Sequence, residues 1–115
     1  MSVFRKLVAR RTQIVEQIAA LGPMRMGSIR EQYFSSTHRD GSIRRRGPYP
    51  IYTFKRRGKT CGKRLRNPEE AEQYRRQIET FRRYQELSAE LVQVSQTLAD
   101  MEAADDEKCK KNSSN

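Results

Sequence analysis

Arginine and lysine crowd one stretch of this chain, and the chemistry they offer is the capture of phosphate. Arg44, Arg45, Arg46, Lys55, Arg56, Arg57, Lys59, Lys63, Arg64 and Arg66 are interleaved with Tyr49, Tyr52 and Phe54. Nucleic acid asks for this mixture. Cations neutralise phosphates and release counterions, while arginine forks and aromatic rings read or stack on bases. The net charge is +10, but it is not spread evenly: residues 22–66 hold thirteen basic groups against two acidic ones. A block of that kind is an electrostatic footprint rather than a general aid to solubility. These ten cations are the candidate nucleic-acid-binding residues.

Covalent or metal chemistry finds little to work with. His38 is the only histidine, so neither a histidine-based triad nor a zinc site has its partners. The carboxylates fall mostly in the last third, on what reads as a solvated helix face. Cys61 and Cys109 are too few for a disulfide framework. Glycines are scattered and form no phosphate loop. The expectation is a protein that is not an enzyme, with no catalytic residue, metal or cofactor.

The elements that must carry the cations follow from periodicity. Hydrophobic residues make up 35% of the 115 and mean hydropathy is -0.98, which limits the core to a thin one. Phe4, Leu7, Val8, Arg11, Ile14, Val15, Ile18 and Leu21 recur at helical spacing over residues 2–21, with Ser2 as cap and Gly22-Pro23 as terminator. Residues 27–34 read as a strand, 35–48 as a loop, 49–56 as a strand and 59–65 as its return. Arg57-Gly58 is the two-residue turn. The turn sets a register that pairs 56/59, 54/61, 52/63 and 50/65 on one face and 55/60, 53/62 and 51/64 on the other. The first face gathers Tyr52, Phe54, Cys61, Leu65 and the Lys63 stem as core. The second is polar, basic and exposed.

Asn67, Pro68 and Glu69-Glu70 open a long helix over residues 67–103. Its stripe is Ala71, Tyr74, Ile78, Phe81, Tyr84, Leu87, Leu91, Val94, Leu98 and Met101. A run of threes between Ile78 and Leu87 divides it. The aromatic first half suits a sheet, and the second suits another helix, with the N-terminal helix as antiparallel partner. The predicted fold is α+β: helix, three-stranded antiparallel sheet, long helix. It forms one small domain over residues 1–103, followed by a disordered polar tail over 104–115. The same stripes would serve a homodimer through residues 2–21 and 84–103.

Three segments resemble an uncharacterised prokaryotic family, a domain of unknown function often found near mobile elements. They are Met26–Phe34 (MGSIREQYF), Arg46–Phe54 (RGPYPIYTF) and Arg57–Thr60 (RGKT). Many members carry clustered cysteines where this chain has Ser35–Asp40, so no metal site carries over. A looser similarity is to the arm-type DNA-binding domain of tyrosine recombinases, in which a three-stranded sheet enters the major groove. That similarity implies that Ile51, Thr53, Lys55 and Arg64, with turn residues Arg56, Arg57 and Lys59, approach a duplex.

The reading is therefore a cytoplasmic DNA-binding accessory or regulatory protein of a mobile element, using a basic hairpin face and an Arg-rich loop. An RNA-binding ribonucleoprotein component and a coiled-helix protein–protein adaptor are the alternatives. Arg5, Lys6, Arg10 and Arg11 beside an apolar stripe also fit a membrane surface, but a second helix is available to cover that stripe. No membrane partner is expected.

Overall fold

The computed structural model describes residues 2–113, with side chains through residue 105. Its elements are α1 (Val3–Ala19), β1 (Ser28–Thr37), β2 (Ile43–Arg56), β3 (Lys59–Arg64) and α2 (Pro68–Ser113). The α+β class is as expected, and the sheet is an antiparallel meander in the order β1-β2-β3. No helix among the described residues is long and apolar enough to cross a membrane.

The chain forms two compact units, and α2 contributes to both. The helical unit combines the residues up to 21 with those from 82 onward. Ser2 caps α1 by accepting from the Arg5 amide at 3.2 Å. Ile14, Leu87, Val94 and Leu98 are its buried core, with Leu7, Val8, Ile18, Leu21 and Leu91 packed around them. The antiparallel pairing of α1 with α2 is held at its flank by Arg10. The Nε and Nη2 of Arg10 donate to the two carboxylate oxygens of Glu90 at 2.7 and 2.8 Å. A fork on a carboxylate fixes geometry as well as charge.

The sheet unit spans residues 22–81. Tyr52, Leu65, Ala71, Tyr74 and Ile78 form its core, and Ile29 and Phe54 pack against them. The start of α2 thus covers one face of the sheet. Asn67 caps the helix by accepting from the Glu70 amide at 2.8 Å. The chain before β1 is also pinned. Arg25 donates through its amide to the Gln77 carbonyl at 3.0 Å and through Nε to Gln77 Oε1 at 2.9 Å. Its guanidinium lies 4.0 Å from the Tyr74 ring centroid, and the Tyr52 hydroxyl donates to the Met26 carbonyl. Gly27 has φ +132°, and a Cβ there would run into the Thr53 carbonyl. Only glycine lets the chain pass so close.

The β2–β3 register is the one the turn predicts, from Arg56↔Lys59 to Ile51↔Arg64. The Leu65 amide donates to the Pro50 carbonyl to close the last pair.

Three expectations are corrected. Residues 35–48 are not a loop: β1 and β2 stay paired from Phe34↔Arg46 to Thr37↔Ile43, turning at residues 38–42. These strands are exposed on both faces, so they show no apolar alternation, and pairing between backbones holds them instead. Ile51 does not lie on an open surface, being 7% exposed. It occupies the central strand between its partners Arg30 and Arg64, and long arginine stems cover apolar neighbours. Finally, α2 continues past residue 103 to Ser113, where a disordered tail was expected. No glycine or proline interrupts residues 104–113, and Ala104, Glu107 and the lysines are good helix formers. Residues 114 and 115 of that tail lie outside the described residues.

Candidate nucleic-acid interface

Strand pairing and alternation sort the cations between two faces of the sheet. One face presents Ser28, Arg30, Gln32, Phe34 and Ser36 from β1. From β2 it presents Arg44, Arg46, Tyr49, Ile51, Thr53 and Lys55, and from β3 Thr60, Gly62 and Arg64. Five of these are cations and none is acidic. The other face holds Ile29, Glu31, Tyr33, Arg45, Tyr52, Phe54, Arg56, Lys59, Cys61 and Lys63.

Between Gln32 and Phe34 the register shifts by one residue, with Gly47-Pro48 opposite Tyr33. Side-chain contacts show that each face runs on through the shift. Phe34 packs on Tyr49 with centroids 5.8 Å apart, and the Arg64 guanidinium lies 3.6 Å from the Tyr49 centroid. On the opposite side, Arg45 lies 3.8 Å from the Tyr33 centroid. Such contacts hold a guanidinium in place while leaving its N–H groups available.

The ten candidate cations therefore do not lie on one face. Arg44, Arg46, Lys55 and Arg64 share the acid-free face. Arg45 is on the far side of the same ribbon, so the arginine triplet is an alternating strand rather than an Arg-rich loop. Lys63 faces α2, and its Nζ donates to the Tyr74 hydroxyl at 2.9 Å. Arg56 and Lys59 flank the turn on the α2 side of the sheet. Arg66 follows β3, 83% exposed and 4.0 Å from Glu70.

Arg30 belongs to the acid-free face and is missing from the sequence-derived set. Its place in the Ser28-Arg30-Gln32 alternation of a predicted strand was the signal for it. Among the described residues, Arg30, Arg44, Arg46, Lys55 and Arg64 form no ion pair with a carboxylate.

No protein-family model, curated protein or solved structure matches this chain. The site therefore rests on its own geometry.

Arg57 adds a further observation. It occupies the left-handed region at φ 51°, followed by Gly58 at φ 79°. Asparagine or glycine is the favoured residue there, and a bulkier side chain costs about 1–2 kcal/mol. Arg57 thus places a cation at the tip of the hairpin despite that cost. Arg57→Asn is expected to raise stability in thermal unfolding by up to about 1 kcal/mol. The same change should weaken polyanion binding by about two- to fivefold. Opposite signs in the two measurements would separate a binding residue from a packing one.

His38 sits at the far end of the β1–β2 ribbon, where its amide donates to the Ser42 carbonyl at 2.8 Å. Asp40 organises the same turn. The Ser42 hydroxyl and amide both donate to Asp40 Oδ1, at 2.6 and 2.9 Å, and hold its carboxyl below the ordinary carboxylate range. Cys61 is half-buried in β3. Among the described residues, no three His, Cys, Asp or Glu side chains come together as a metal site.

Proposed function

We propose that this chain binds nucleic acid, duplex DNA in preference to RNA, through the cationic face of its sheet. It would act as an accessory or regulatory protein rather than as a catalyst. One observation carries the reading: Arg30, Arg44, Arg46, Lys55 and Arg64 share a face that has no carboxylate. A face of one sign attracts a polyanion over its whole length, and each phosphate neutralised releases counterions. Ser28, Gln32, Thr53 and Thr60 on the same face add neutral hydrogen-bonding groups suited to phosphate oxygens and base edges. A two-stranded ribbon has the width to enter a DNA groove. The resemblance of residues 26–34, 46–54 and 57–60 supports an association with a mobile element.

Lys55→Ala with Arg64→Ala is expected to weaken binding of labelled duplex DNA and to lower the slope of log K against log salt by about 2. Unchanged affinity and slope would remove both residues from the interface. Competition by single-stranded DNA and by structured RNA in the same assay sets the polymer. Displacement by RNA at lower concentration than by unlabelled duplex would transfer the reading to RNA.

A further inference from the structure

We infer that Ile43 is a wedge that unstacks a base step and bends duplex DNA when the β1–β2 ribbon enters the minor groove. The inference rests on the nucleic-acid reading above and adds the groove and the deformation. Beyond the end of β3, β1 and β2 continue as a two-stranded arm, and every residue from 33 to 48 is exposed. At 71%, Ile43 is the most exposed large apolar side chain among the described residues. It opens β2 immediately after the turn, paired with Thr37, so it stands near the far end of the arm. Strand propensity accounts for a β-branched residue at this position, since threonine opposite serves equally well. It does not account for an apolar one that has no neighbour to cover it.

The charges around Ile43 identify its occupant. Arg44 and Arg46 project from one face of the arm and Arg45 from the other; the turn holds Arg39 and one carboxylate, Asp40, whose Oδ1 accepts from the Ser42 amide and hydroxyl. A ribbon lying flat on a surface needs cations on one face only. A ribbon inserted tip first has phosphates on both flanks, and cations on both faces meet both walls. Architectural proteins that enter the minor groove combine arginine with an apolar wedge such as isoleucine. The arm brings those two components together at one end. The turn that presents Ile43 is held by the Asp40 and Ser42 contacts, so the wedge is carried on an ordered scaffold.

The test is energy transfer between dyes on the two ends of a short duplex, with affinity measured in the same titration. The full chain is expected to bring the ends together by a bend of roughly 20–90°. Ile43→Thr keeps β-branching and removes no core contact. It should abolish the bend while weakening affinity by no more than about tenfold, the equivalent of roughly 1.4 kcal/mol. Ile43→Met keeps an apolar wedge and should bend DNA as the parent does. Binding of straight DNA by the parent chain, or an undiminished bend with Ile43→Thr, would overturn the inference and leave the nucleic-acid reading standing. Absence of any duplex binding would remove both.

Discussion

Alanine at Arg30, Arg46 and Arg64 is expected to weaken duplex DNA binding by roughly ten- to 150-fold. Each exposed cation contributes about 0.5–1 kcal/mol to its phosphate contact, so three contribute about 1.5–3 kcal/mol. The salt slope should fall by about 3, close to one for each phosphate lost. The informative comparison is a second triple variant, Arg56→Ala, Lys59→Ala and Lys63→Ala. It removes the same charge from the opposite face. Net charge alone predicts equal losses from the two. A defined interface predicts the larger loss from the first, because those residues share an acid-free face with Lys55 and Arg44. None of the six is buried, so both proteins should fold, and matched thermal unfolding would confirm that binding alone has changed.

Tyr52→Ala is expected to cost about 3–5 kcal/mol, a large part of the roughly 5–15 kcal/mol that holds a small domain together. Tyr52 is 5% exposed and stands where three segments of the sheet unit meet. Its ring stacks on Phe54 and meets Tyr74 edge-on, each with centroids 5.1 Å apart. The Gly27 backbone passes against it, and its hydroxyl holds the Met26 carbonyl. Truncation leaves a cavity among groups that cannot close it and frees the chain that leads into β1. Thermal unfolding followed by circular dichroism should register a drop in midpoint of at least about 10 °C. Tyr52→Phe keeps the ring contacts and should lose only about 0.5–1.5 kcal/mol, the net value of one hydrogen bond. Equal losses from the two variants would show that the hydroxyl, not the ring, holds the segment.

Where the sequence carried a periodic signal, it could be read. All ten residues of the α2 stripe, from Ala71 to Met101, are buried or half-buried. The break between Ile78 and Leu87 marks where the helix passes from sheet core to helix core. The Arg57-Gly58 turn fixed the β2–β3 register because positive φ at two successive residues admits little else. The arm was not legible for a physical reason. Strands with solvent on both faces need no alternation, so Ser35, Ser36, Arg44 and Arg46 look like loop residues until a partner strand is known. Ile51 is buried where alternation predicts exposure, because alternation gives the side of the sheet and not what covers it. On a central strand between two arginines, an apolar residue is buried on a face that is otherwise polar. The cationic set could be recognised by composition, but its division into two faces depended on the pairing of β1, which brought in Arg30 and turned Arg45 and Lys63 away.

The most direct test of the central claim is the affinity of the full chain for labelled duplex DNA across a salt series. Five cations on one face predict tight binding at low salt and a slope of log K against log salt of about -4 or steeper. Failure to bind at low salt, or an affinity indifferent to salt, would contradict a phosphate-reading sheet.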